Sequence, residues 1–147
     1  MILYLDSSDL FKLYVLEPDS DRVEFNTSVA DQLAGSRLSY AELRAGLARA
    51  QRGHRLLRDG QSISQSTYDD LVRQFESDWR SLVKVNVSQR LIGVAGQLAA
   101  KHFLTGGDAI QLSAALTLRD ISLDEVRFSV ADKDLKSAAI AEGFVVV

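Results

Sequence analysis

Four apolar residues, Ile2-Leu3-Tyr4-Leu5, run without interruption into an acid, Asp6. A short continuous apolar run closed by polar residues reads as a strand buried on both faces. A helical pattern follows at once. Leu10, Leu13, Tyr14 and Glu17 fall on related turns, and Pro18 stops them. A carboxylate therefore stands where a buried strand hands over to a helix. In open α/β sheets that edge, outside the carboxyl ends of the strands, is where ligands bind.

The same alternation repeats along the chain. Residues 82–87 and 126–130 read as strands, 144–147 as a final apolar strand, and 32–39 as a weaker one around Gly35. Helical spacing predicts helices over 19–30, 66–80 and 89 to about 103. Ser39-Tyr40-Ala41-Glu42 has the spacing of a capping box, so a helix is expected to start at Ser39. Asp108 is expected to open another, and Ala131-Asp132 a last one that ends near Gly143. Strands separated by helices predict an α/β chain: a mostly parallel sheet of about five strands, covered on both faces by about seven helices. A length of 147 residues, without internal repeat or low-complexity tract, suits a single domain over 1–147.

The absence of cysteine excludes disulfides, thiolate nucleophiles, Cys-ligated zinc and iron–sulfur clusters. It suits a reducing, cytoplasmic setting, and no membrane-spanning stretch or signal-peptide pattern appears. A formal charge of −3 argues against binding nucleic acid by bulk electrostatics. Contact with nucleic acid would require a local basic patch or a metal to meet the phosphate.

Asp6, Glu42, Asp108 and Asp132 each sit just past a strand or at a helix start. Singly, each is explained as a cap. As a set they are not, because crossovers in a parallel sheet bring strand carboxyl ends to one edge. Clustered carboxylates repel, and a cation relieves the repulsion. All-oxygen ligands without Cys or His favour Mg²⁺ or Mn²⁺ over zinc.

Leu5-Asp6-Ser7-Ser8 with Lys12-Leu13-Tyr14, then Ser39 to Glu42, then Gly107-Asp108-Ala109-Ile110-Gln111-Leu112, then Ala131-Asp132-Lys133-Asp134-Leu135 resembles a PIN-domain ribonuclease of the VapC toxin type. The order and spacing of all four motifs match, from one end of the chain to the other. The resemblance implies a PIN-like α/β/α sandwich and Mg²⁺- or Mn²⁺-dependent endonucleolytic cleavage of RNA. It also implies a cognate antitoxin as inhibitor, and often a homodimer. By position it assigns the acidic quartet to Asp6, Glu42, Asp108 and Asp132 as catalytic and metal-binding residues, and a nearby hydroxyl to Ser8. Asp134 is a further acid that could assist. The chain departs from the family pattern at Val130, where Ser or Thr is common, and at Gln111, where His is common. Residues 105–107 also lack the basic residue often found before the third acid.

Five arginines between residues 40 and 60 make this the most basic part of the chain. Arg44, Arg49 and Arg52 are either a solvated helix face or a surface for RNA phosphates or an acidic antitoxin segment. Lys12 either points toward the site or lays its stem along the protein surface. Asp9 stands off the acidic pattern and is expected at the surface. Two other readings stay open: a PIN-like module that binds RNA or protein with little catalysis, and a metal-dependent phosphatase. The phosphatase would need a second Asp two residues after the nucleophile, where Asp6-Ser7-Ser8 has Ser8.

Overall fold

The computed structural model describes residues 1–53 and 63–147. The expected positions His54, Arg55 and Arg58, and the first half of the polar turn at 60–65, lie outside the described residues. The elements run β1 (Ile2–Leu5), α1 (Ser7–Phe11), α2 (Ser20–Ser28), β2 (Gln32–Ser36), α3 (Arg37–Gln51), α4 (Gln65–Ser81), β3 (Val83–Val85), α5 (Gln89–His102), α6 (Gly106–Ile121), β4 (Val126–Ser129) and α7 (Lys133–Ala141).

All strand pairs are parallel, in the order β3-β2-β1-β4. β1 is central, with Ile2 in register with Gln32 on one side and Val126 on the other. Its side chains alternate between two apolar layers, as the period of a strand requires. Ile2 and Tyr4 enter a layer with Leu91, Leu112, Phe128 and Leu135. Leu3 and Leu5 enter the other, with Leu10, Val23, Leu43, Leu47 and Phe75. This is an α/β/α sandwich, and both faces of β1 are dry. No helix among the described residues is long and apolar enough to cross a membrane.

Four expectations are corrected. The sheet has four strands among the described residues rather than five. The segment at 144–147 makes only a single bridge, Phe128 to Val146. Two backbone bonds hold it to β4, which is too little for a ladder. The first helix ends at Phe11, and its continuation tightens into turns in which Leu13 and Tyr14 bond to carbonyls three residues back. The third helix begins two residues before Ser39: Ser36 is its cap, accepting from the Leu38 amide at 3.1 Å. Thr105 rather than Asp108 caps α6. These shifts place Ser39 and Glu42 inside a helix, one turn apart on the same face.

Candidate metal site at the strand edge

A cavity of about 490 Å³ opens at the carboxyl end of β1. Asp6, Ser7 and Ser8 line it from the β1–α1 junction, Glu42 and Arg49 from α3, and Asp108 and Gln111 from α6. Three of the four expected acids thus meet at one cavity, although 36 and 66 residues separate them in turn along the chain. Asp132 does not line it. It starts α7 three residues beyond Ser129, the register partner of Leu5, so it shares the sheet edge but not the cavity. Its Oδ1 accepts from the amides of Asp134 and Leu135 at 3.0 and 2.9 Å, which is a helix cap. Asp134 is exposed beside it.

Asp6 is buried, 4 % exposed, and caps α1. Its Oδ1 accepts from the Asp9 amide and its Oδ2 from Ser8 Oγ, each at 2.7 Å. Burial, and then the charge of Asp9, pushes the Asp6 carboxyl up to about 6. Glu42 Oε2 is met by Ser7 Oγ and, at 3.1 Å, by Gln111 Nε2. Its Oε1 has no hydrogen-bond partner among the described residues. A Cβ placed on Gly107 would stand 3.5 Å from that atom, an ordinary contact, so the first turn of α6 lies against Glu42. Asp108 Oδ2 accepts from Thr105 Oγ1 at 2.6 Å, which likewise leaves Oδ1 without a partner among the described residues.

The donor set is hard and all oxygen, which fits Mg²⁺ or Mn²⁺. Among the described residues, no three acidic or imidazole side chains stand close enough to hold one ion together. Mg²⁺ does not ask for that. It keeps several waters and is held by one or two carboxylates plus substrate phosphate. Two carboxylates that each have an oxygen without a partner among the described residues, and a buried third beside them, suit such a site.

Asp9 and Lys12 are not where the sequence suggests. Asp9 is completely buried, and Lys12 is 8 % exposed with Nζ 2.8 Å from Asp9 Oδ1. Lys12 is therefore turned inward and does not line the cavity. Arg22 and Ser129 also donate to Asp9, tying α1 to α2 and β4. Of the arginines, Arg44 pairs with Glu76 at 2.8 Å and with the Tyr40 hydroxyl at 3.2 Å. Arg49 lies at the cavity, and Arg52 is exposed just past α3.

The sequence reading missed Ser7 and Gln111 as members of the site. In sequence Gln111 stands only as a departure from the family pattern, and its spacing from Asp108, one helical turn, is the signal that places it at the site.

No family model matches the chain. Ribonuclease VapC45 of Mycobacterium tuberculosis is 33% identical to it over 142 residues, which cover 97% of this chain and 92% of that protein. The chain belongs to the VapC ribonuclease family. Solved structures agree on the fold. A toxin–antitoxin complex from Klebsiella pneumoniae superposes with a TM-score of 0.65 at 16% identity, covering 99% of this chain and 95% of that one. VapBC2 from Rickettsia felis, bound to a DNA fragment from its promoter, gives 0.64 at 16%, covering 100% and 98%. With the VapC relationship in place, the α/β/α sandwich expected for a PIN domain is the observed one.

Proposed function

We propose that this VapC-family chain is an endoribonuclease whose catalytic site is the cavity at Asp6, Glu42 and Asp108, and that it is the toxin of a toxin–antitoxin pair. The carrying observation is that three carboxylates from three separate elements line one cavity, two of them with an oxygen that has no hydrogen-bond partner among the described residues. Asp6, Asp108 and Glu42 would hold Mg²⁺ or Mn²⁺ there, in part through water. Such an ion, when bound, neutralises phosphate charge and lowers the pKa of a water. The chain's own part is to orient. Ser8 and the Asp9 amide fix both oxygens of Asp6, and Ser7 with Gln111 fixes one oxygen of Glu42. Arg49 stands where it can meet an RNA phosphate.

A hydrolytic step then needs no protein nucleophile. Water attacks phosphorus, the P–O bond to the leaving ribose oxygen breaks, and the carboxylates take up or relay the proton. The reading further assigns residues 1–147 to one domain acting in the cytoplasm, and it implies a cognate antitoxin that keeps the cavity from RNA. Asp132 caps α7 and is not needed for this arrangement.

The test is cleavage of single-stranded RNA by the purified chain, freed of any partner, with Mg²⁺ or Mn²⁺. Asp6→Asn should abolish it. RNA that is bound but never cut with either metal overturns the reading. Hydrolysis of small phosphomonoesters in place of RNA would point to a phosphatase.

A further inference from the structure

Gln111 is the least expected member of the site and the best connected. It is 3 % exposed, in the second turn of α6. Its Oε1 accepts from the Tyr4 hydroxyl at 2.7 Å. Its Nε2 lies 2.7 Å from Ser7 Oγ, 3.1 Å from Ser39 Oγ and 3.1 Å from Glu42 Oε2. One amide therefore touches β1, the β1–α1 junction and two positions of α3.

The orientation of that amide is settled by its surroundings. Rotated by half a turn, the amide would set its oxygen against Glu42 Oε2, two acceptors at 3.1 Å. The Tyr4 phenol, fully buried and edge-on to Phe128, donates to the amide oxygen in that orientation. A buried primary amide offers two N–H donors that stay neutral at every working pH, and here they are shared among Ser7 Oγ, Ser39 Oγ and Glu42 Oε2.

We propose that Gln111 is a positioning residue: held by Tyr4, it locks Glu42 Oε2 and Ser7 so that Glu42 Oε1 is the oxygen presented to the cavity. This rests on the metal-dependent ribonuclease reading above. Gln111 acts on Glu42 and not on RNA, and Tyr4 acts only through Gln111. Partners that orient a ligand carboxylate commonly matter about 10- to 100-fold in metal affinity or activity.

Gln111→Met keeps the volume and removes the hydrogen bonds. Tyr4→Phe removes one oxygen and leaves the amide free to turn. Each variant, the double variant and the wild type are titrated with Mn²⁺ by calorimetry, melted in chelator, and assayed for cleavage of single-stranded RNA. Expected is an Mn²⁺ midpoint raised about 10-fold or more in Gln111→Met, with a smaller rise in Tyr4→Phe. The double variant should be no weaker than Gln111→Met alone, since two residues in one chain of action do not add. Lower melting temperatures with Mn²⁺ midpoints and cleavage rates within about twofold of wild type overturn the proposal, because that is what core packing alone predicts. Additive effects overturn the part given to Tyr4. Should Gln111→Met not fold, the Mn²⁺ midpoint of Tyr4→Phe decides. A wild type that neither binds Mn²⁺ nor cuts RNA fails the ribonuclease reading itself, and the positioning role with it.

Discussion

Arg22 Nη2 lies 3.0 and 2.8 Å from the two oxygens of Asp9, an acid with no exposed surface at all. Lys12 Nζ adds a second cation, 2.8 Å from Asp9 Oδ1, and Ser129 Oγ donates at 2.7 Å. The cluster sits directly behind Asp6 and holds α1, whose amide end caps on that residue. It is support for the site and not part of it.

Removing Asp9 should therefore unfold before it inactivates. Asp9→Ala leaves Lys12 buried without its counter-charge, and breaking a buried pair this way costs about 3–5 kcal/mol. Urea unfolding of the metal-free protein measures it. A loss below about 1 kcal/mol would mean that water replaces the carboxylate and that the cluster is not structural.

The raised Asp6 carboxyl has a stability consequence whose sign is definite. Its value is about 6 in the folded protein against an ordinary 3.8. The folded state thus binds this proton more tightly than the unfolded chain does. The favourable contribution is full below about pH 4 and is lost as pH rises through about 6, on the order of 3 kcal/mol in the metal-free protein. Asp6→Asn keeps a capping side chain and escapes the penalty. At pH 7 in chelator it should be the more stable of the two, and Mg²⁺ should narrow or reverse the gap by binding the wild type more tightly. Equal pH profiles for the two proteins in chelator would sink this account.

Asp132 separates capping from metal binding. Asn caps about as well as Asp, so Asp132→Asn should change stability by only a few tenths of a kcal/mol. Because Asp132 lies outside the cavity, cleavage should fall far less than in Asp6→Asn or Asp108→Asn. Losses as deep as those of Asp6→Asn, at saturating Mg²⁺, would bring Asp132 into the catalytic set.

Arg49 and Arg52 lie on opposite sides of a similar question. Arg49→Glu places a negative charge at the cavity and should weaken RNA binding, reducing the salt slope of affinity by about one. Arg52→Glu, outside the cavity, should do less. Arg44→Ala should act on stability instead, since its guanidinium bridges Tyr40 and Glu76 between α3 and α4. Filter binding over a salt series distinguishes the three, and identical slopes would return them all to a solvated helix face.

Much of this was legible in one dimension. The apolar run at residues 2–5 made the central strand, because a strand with two dry faces needs side chains that lose nothing by leaving water. Helical stripes on α5 and α6 fell where the periodicity put them, with Ser88 as the cap of α5. Asp6, Glu42 and Asp108 stand out by their places after strands and at helix starts, and they line one cavity. What misled was local grammar. Ser39 and Glu42 have the spacing of a capping box, yet Ser36 takes the cap because β2 ends there and the chain must turn at once. Asp9, three residues past Asp6, had no apolar or motif context to betray it.

The sequence alone determined the order of elements, the alternation of β1 between two layers, and the residues that carry charge to the strand edge. Those follow from periodicity and from side-chain chemistry, which are local. Only the tertiary structure decided which of those charges face the cavity, which cap a helix, and which are buried in pairs. Asp132 and Asp108 both stand near a helix start, but the first turn of α6 lies against Glu42 of α3, and Asp132 does not line that cavity. Whether Gln111 is a core amide or the support of Glu42 depends likewise on Tyr4, 107 residues away and met only through packing.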